Sequence, residues 1–164
     1  MRRTRAAAGS LAFLVLAPGL VAGLVPWWIT GWRVGRHFWA PLRIAGAILL
    51  VAGVLVLLDA FVRFVVEGIG TPAPVAPTER LVVGGPYRYV RNPIYVALTA
   101  ALVGEALFLG YLVLVAYAAA FAALCAGFVR WYEEPTLRRR FGVQYETYRR
   151  AVPGWRPRLR PWNG

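Results

Sequence analysis

The stretch Pro93–Trp131, PIYVALTAALVGEALFLGYLVLVAYAAAFAALCAGFVRW, decides the fold of this 164-residue chain. It is apolar almost throughout, and Gly110 near its middle permits a tight turn between two helices. We expect membrane spans over about residues 93–109 and 111–131, joined as an antiparallel hairpin with almost no exposed connection. Pro93 suits the first turn of a helix, because its missing N–H has no helical partner there. The hairpin therefore predicts a protein that crosses a membrane.

Two further apolar stretches precede the hairpin, at about residues 10–29 and 42–66. The first ends in a tryptophan pair, Trp27 and Trp28, which suits the membrane interface better than the cleavage site of a signal peptide. The second exceeds the length needed to cross about 30 Å of hydrocarbon, so we expect tilt or a protruding end. We therefore predict one all-α membrane domain over residues 1–164, with about four transmembrane helices.

The composition supports a protein whose partner is the lipid bilayer. Hydrophobic residues make up 59% of the chain, and the mean hydropathy is +0.55. The formal net charge of +12 comes from 19 cations, all arginine, clustered at the ends of the apolar stretches. This placement indicates contacts with anionic headgroups and argues against a nucleic-acid partner. By the positive-inside rule we expect both termini in the cytoplasm, although Arg33 and Arg36 run against it.

The residues after the hairpin, 133–164, have a different pattern. Apolar side chains recur at helical spacing among many arginines, which predicts an amphipathic helix lying on the membrane surface. These apolar positions are Leu137, Phe141, Tyr145 and Tyr148. We expect Pro135 and Gly142 to bend this helix. With one cysteine and one histidine in the whole chain, we predict neither an internal disulfide nor a metal site.

The proline-rich connector at residues 68–92 carries polar groups that are costly beside hydrocarbon unless they bind something. Its end reads GGPYRYVRNPIY from Gly84 to Tyr95, and the acidic pair Glu133 and Glu134 follows the hairpin. The chain lacks a Ser-His-Asp set and the phosphate-binding and zinc motifs of common enzymes. Methyl transfer from S-adenosylmethionine fits, because the methyl donor is already activated and the protein need only align it.

Three segments of the chain resemble one family, the isoprenylcysteine carboxyl methyltransferases and phospholipid methyltransferases, which are integral membrane enzymes. The segments are GTPAP at residues 70–74, LVVGGPYRYVRNPIY at residues 81–95, and YEEPTLRRRFGVQYETYRRAVPGWRP at residues 132–157. Their order and spacing match the family over roughly the last 100 residues. Many relatives have a histidine where this chain has Asn92, and some have one late in the fourth span, where this chain has Cys125, Ala126 and Gly127. With neither histidine present, a mechanism that needs an imidazole base is excluded.

The resemblance implies a set of residues that contact S-adenosylmethionine. They are Glu79, Arg80, Leu81, Val82, Tyr87, Asn92, Pro93, Ile94, Tyr95 and Glu133. Arg130, just before the acidic pair, would orient the methyl acceptor, and Arg91 and Glu134 complete the predicted catalytic set. The acceptor would be a lipophilic small molecule or a prenylated group that approaches from the bilayer.

The sequence leaves the acceptor and two side-chain roles open. A carboxylate acceptor needs an orienting arginine and no base, which we favour, whereas a phospholipid amine must first lose a proton, for which Glu105 is a further candidate base. The sequence is also compatible with an NADPH-dependent sterol-type reductase and with a non-catalytic membrane scaffold. Asp59, Arg63 and Glu67 lie four residues apart, so they form either an ion ladder or part of the mouth of the site. Glu105, within the third span, is either functional or structural.

Overall fold

The structure is a computed structural model that describes residues 3–35, 38–68 and 79–163. The GTPAP segment lies outside these residues. The described part is helical and contains no strand. Its α-helices are α1 (Arg3–Gly19), α2 (Val25–Thr30), α3 (Ala40–Arg63), α4 (Pro93–Leu109), α5 (Leu112–Phe128) and α6 (Glu134–Ala151). Short π-helical turns follow α1, α3 and α5 at Leu20–Leu24, Phe64–Gly68 and Val129–Glu133, and a 3-10 turn lies at Gly85–Arg88.

Three continuous helices in the described part are long and apolar enough to cross a membrane. They run over Leu11–Thr30, Ala40–Gly68 and Leu112–Ala151. The chain is therefore an integral membrane protein of all-helical fold. Helix α4 begins and ends where the sequence predicted, but its 17 residues give a length of only about 25 Å. The count of four spans stays a prediction.

Helices α3 and α4 pack closely, because glycines face the partner helix where the two backbones meet. A Cβ atom at Gly53 would lie 2.7 Å from the carbonyl oxygen of Ala97, and one at Gly46 would lie 2.7 Å from that of Gly104. These distances are too short for any side chain, so the contact depends on small residues. The pair provides the rigid frame from which the connector projects.

The two ends of this helix pair carry different segments. At one end, Gly110 has φ +78° and turns the chain from α4 into α5, as predicted. The backbone N–H of Gly35 donates to the Leu109 carbonyl there at 2.7 Å, which places the connection after α2 beside this turn. At the other end, the N–H of Glu79 donates to the Gly68 carbonyl at 2.8 Å. The connector and the first connection therefore lie at opposite ends of the pair.

The last helix differs from our prediction of a separate segment beginning at residue 133. Helix α5 continues through the π turn into α6, and Val129 and Glu134 both have helical backbone angles. Arg130 and the acidic pair end the apolar sequence without ending the helix, because charge does not prevent helical hydrogen bonding. The predicted bend at Gly142 is confirmed, with φ +50° and ψ −123° inside α6. Pro135 lies in the first turn of α6, directly after the π turn.

Helix α6 packs against the connector through two buried tyrosines. Tyr145 and Tyr148 are each 2% exposed and belong to one core cluster with Ala60, Val82 and Tyr87. The cluster joins the end of α3, the connector and α6 into one unit. It holds the polar residues of the connector against the base of the α4–α5 hairpin.

Candidate active site

The residues after α6 lie along the connector and pair with its backbone. The N–H of Arg91 donates to the Pro153 carbonyl at 2.9 Å, and the N–H of Asn92 donates to the Gly154 carbonyl at 3.3 Å. Further along, the N–H of Arg158 donates to the Tyr89 carbonyl at 3.0 Å. We call residues 152–163 the C-terminal strap. The strap therefore lies against residues 89–92 of the connector.

Trp162 fastens the far part of the strap. Its N–H donates to the Arg88 carbonyl at 3.0 Å, and its own carbonyl accepts from Arg88 Nε at 2.8 Å. Its ring lies 5.3 Å from that of Tyr148, between centroids. The guanidinium of Arg88 also donates to the Asn163 side chain. Arg88 therefore holds the strap in place through these hydrogen bonds. The pattern of charges in the sequence does not predict this role.

Arg91 lies at the centre of a network that joins three elements. Its Nη1 donates to Glu134 Oε1 at 2.8 Å and to the Tyr145 hydroxyl at 2.9 Å, and its Nε donates to the Val152 carbonyl at 2.9 Å. The Arg91 and Glu134 side chains are only 12% and 14% exposed. The structure thus brings together two predicted catalytic residues. Both make hydrogen bonds that join the connector to α6.

Tyr95 and Glu133 join the start of α4, directly after the connector, to the end of the hairpin. The hydroxyl of Tyr95, in the first turn of α4, donates to Glu133 Oε2 at 3.1 Å. These residues are 38 positions apart, and the turn at Gly110 brings them together. The polar residues of the connector and the acidic pair therefore converge at one end of the hairpin.

A cavity of about 490 Å³ opens between the end of α3, the connector and α6. Its lining includes the predicted residues Glu79, Arg80 and Leu81. Glu67, Phe141 and Gln144 also line it, together with Val66. Phe141 and Gln144 were missed because helical periodicity assigns them only to a surface helix. The break at Gly142, which stands between them in sequence, is the one signal that distinguishes this stretch.

The ion ladder is confirmed, and Glu67 also lines the cavity. Arg63 donates to Asp59 and to Glu67, each at 3.3 Å. Glu67 Oε2 accepts the N–H of Gly84 at 2.8 Å. Glu67 therefore belongs to the ion ladder and also lines the cavity, so both interpretations hold. Its Oε2 atom fixes the connector through Gly84.

A second cavity of about 360 Å³ lies at the end of α5. It is lined by Arg130, Trp131 and Glu134, with Ala126, Gly127 and Val129 from the same helix and Trp155 from the strap. Arg130 makes no hydrogen bond or ion pair with any residue that the structure describes. The cavity thus combines an available cation with aromatic walls.

Most of the remaining predicted cofactor residues belong to the core or pack against it. Val82, Tyr87 and Pro93 are buried, and Ile94 packs partly against the core. Burial raises the pKa of the Tyr87 hydroxyl well above its ordinary value, and the charge of Glu133 raises it further, so Tyr87 stays neutral at physiological pH. Tyr148 donates to the Tyr87 carbonyl at 2.7 Å. The predicted cofactor residues therefore fall into four places: the larger cavity, the Tyr95–Glu133 contact, the core, and the strap, to which Asn92 is bonded.

These features define a class: an integral membrane protein with a polar site where a connector, a hairpin base and a terminal strap meet. Residues 42–144 match the phospholipid methyltransferase family, which covers more than half of the chain. The chain belongs to that family of membrane methyltransferases. No curated protein and no solved structure matches it significantly.

Proposed function

We propose that this protein transfers a methyl group from S-adenosylmethionine to the carboxylate of a lipid-like acceptor at the cytoplasmic face of the membrane. The contact between the Tyr95 hydroxyl and Glu133 carries the proposal. It joins the start of α4, directly after the connector with its predicted cofactor residues, to the helix end that bears Arg130. A methyltransferase needs the donor and the acceptor aligned beside each other, and this is the place where the two groups of residues meet.

The side chains around the larger cavity fit S-adenosylmethionine. Carboxylates such as Glu67 and Glu79 suit the ribose hydroxyls, and Arg80 suits the carboxylate of the amino-acid part. Phe141 offers an apolar face to the adenine. The volume of about 490 Å³ lies in the range of small-molecule sites. Bound there, the cofactor would supply an electrophilic methyl group, whose transfer to a carboxylate oxygen forms an ester and releases a neutral thioether.

The smaller cavity favours a carboxylate acceptor over an amine. Arg130 is available to orient an anion. The nearby carboxylates are engaged, since Glu133 accepts from Tyr95, and Glu134 pairs with Arg91 at 2.8 Å and with Arg149 at 3.7 Å. An amine must lose a proton to a base, whereas a carboxylate is already a nucleophile. The protein would only hold the acceptor in line and exclude water.

Methylation of a phospholipid amine is the second candidate, and the description of the matched family favours it. In that reaction a carboxylate must take up the proton of the amine. Glu133 would have to give up its bond from Tyr95, or Glu134 its pair with Arg91. The two candidates predict different products. An ester is cleaved by mild base, and a methylated amine is not.

The reaction itself is tested with purified protein, deuteromethyl S-adenosylmethionine and a total lipid extract. Mass spectrometry should detect lipids that gain one labelled methyl group and lose it after mild base treatment. Labelled products that survive base would support amine transfer instead. Oxidation of NADPH without labelled lipid would support the reductase, and no labelled product of any kind would contradict a methyltransferase.

Cofactor binding is tested with Glu133→Gln, and Glu146→Gln serves as the control. Glu146 lies on the same helix, but its pairs with Arg138 and Arg149 are solvent-exposed. Glu133 lies outside the lining of the larger cavity, so we expect it to act through its bond from Tyr95, which fixes the start of α4 beside the connector. Loss of this charged hydrogen bond in Glu133→Gln should weaken binding of S-adenosylhomocysteine by about tenfold or more. Glu146→Gln should bind as the wild type does in calorimetric titration. Equal binding by both variants would overturn the role of Glu133.

A further inference from the structure

Trp155 lies at the boundary between the acceptor cavity and the rest of the site. Its indole is 40% exposed and lines the smaller cavity opposite the helix that bears Arg130. Its ring centroid lies 6.4 Å from that of Tyr95, whose hydroxyl is bonded to Glu133. A group held by Arg130 and directed toward this contact therefore has Trp155 beside it.

The position of Trp155 is fixed by the residues that precede it in the strap. The Asn92 side chain donates to the Gly154 carbonyl at 3.1 Å, in addition to the bond from its backbone. A Cβ atom on Gly154 would lie 3.1 Å from Arg91 Nη2, so a glycine permits this close approach. Arg91 and Asn92 thus act through the strap, and they place Trp155 rather than facing the acceptor cavity themselves.

The chemistry of the cavity shows what Trp155 can select. The charge of an acceptor is met by Arg130, because Glu134 is engaged by Arg91. The other walls are aromatic, small or aliphatic, with Trp131 stacked over Gly127 on the helix side. The part of the acceptor next to its charged group therefore lies between the helix and a flat, rigid indole. A bulky branch at that point would collide with the ring.

Resting on the proposed function, we propose that Trp155 is a specificity-determining residue of the acceptor site, which selects anionic amphiphiles with a slender headgroup. The ring forms the wall that limits headgroup width, while Arg130 holds the negative charge. The lipid chain leaves the cavity toward the bilayer. The strap residues that carry this wall lie beyond the residues matched by the family.

The test compares two acceptors that share a chain, an amide and a carboxylate. N-palmitoylglycine has a slender headgroup, and N-palmitoylphenylalanine has a bulky one. We expect the wild type to methylate the glycine compound with a higher kcat/KM. Trp155→Ala should reduce this preference about tenfold, the effect typical of reshaping an apolar pocket. Trp155→Phe should keep part of the preference.

Trp162→Phe is the matched control, because Trp162 lies in the same strap but packs on Tyr148 outside the cavity lining. It should leave the acceptor preference unchanged. For Trp155→Ala, binding of S-adenosylhomocysteine should stay within about twofold of wild type. Such binding would show that the variant has lost one wall of the acceptor cavity while the rest of the site remains ordered.

An unchanged acceptor preference in both Trp155 variants, with methylation intact, would overturn the role of Trp155 and leave the proposed function standing. A wild type that methylates neither compound, yet labels lipid amines in an extract, would overturn both the carboxylate acceptor and this inference. If Trp155→Ala does not fold, Trp155→Phe decides, since an indole and a phenyl ring differ in width but both fill the position.

Discussion

Arg91 shows at the scale of one residue how a predicted catalytic group can be held by the fold. Its guanidinium satisfies the Glu134 carboxylate, the Tyr145 hydroxyl and the Val152 carbonyl together. Removing one partner of a buried ion pair leaves the other charge without compensation. Arg91 therefore holds the strap against helix α6, and its catalytic role stays a prediction.

We expect Arg91→Gln to lower the free energy of unfolding by about 3 kcal/mol, because Glu134 would lose its main partner. Arg138→Gln is the comparison, since the Arg138–Glu146 pair is 41% and 36% exposed and such pairs contribute roughly 0–1 kcal/mol. Denaturant titration of the two variants in detergent measures the difference. Equal losses would show that burial of the Arg91 pair has no special effect.

At the scale of helices, the contact between α3 and α4 depends on the absence of side chains. At Gly53 a Cβ atom would lie 2.9 Å from the backbone nitrogen of Ala101, and the neighbouring atoms are backbone that cannot move aside. Any added group must therefore push the helices apart. This displacement would be transmitted to the connector that follows α3.

Gly53→Ala should destabilise the protein by about 1–3 kcal/mol, the cost of overpacking a close contact. Gly19→Ala is the matched control, because a Cβ atom at Gly19 meets nothing within 4 Å. In a helix that change should be neutral or stabilise the protein by up to about 1 kcal/mol. Thermal unfolding in detergent distinguishes the two. A Gly53→Ala protein as stable as wild type would mean that the helices can separate freely.

Helix bounds could be predicted from the sequence where composition changes sharply. Pro93 and Gly110 limit α4, because one residue favours a helix start and the other adopts the left-handed conformation at its end. The continuity of α5 and α6 could not be predicted, since the arginine and glutamate residues near position 133 end the apolar pattern but remain good helix formers. Hydropathy reports what surrounds a helix, not where its hydrogen bonds stop.

For the site, the family resemblance grouped Tyr95 with Glu133 in one cofactor set, and the structure brings the two into contact because the short hairpin places its two ends side by side. The strap was not predicted. Its bonds to Arg91 and Asn92 join backbone groups some 60 positions apart, and such bonds depend on no side-chain pattern. The side chain of Asn92 bonds to Gly154 of the strap, and its contact with the cofactor stays a prediction.

At the scale of the whole molecule, the connector and the strap lie at one end and the connection after α2 lies at the other. The arginine distribution predicts that the connector end faces the cytoplasm. Cys125 is buried and is the only cysteine, so single cysteines introduced elsewhere report on orientation without a competing reactive thiol.

Arg156→Cys, in the strap, should react with a membrane-impermeant maleimide only after cells are opened, and Arg33→Cys should react in intact cells. Both positions are exposed in the structure. Gel-shift labelling of the two variants in sealed and lysed cells measures this, and the unmodified chain, with only Cys125, gives the background. Labelling of Arg156→Cys in intact cells, with Arg33→Cys protected, would show that the protein has the opposite orientation in the membrane.

Because synthesis proceeds from the amino end, residues 153–162 leave the ribosome after the three described helices that are long and apolar enough to cross a membrane. Until they arrive, the N–H groups of Arg91 and Asn92 have no strap carbonyls to bond. We therefore expect the connector to reach its observed conformation only after these helices have been made.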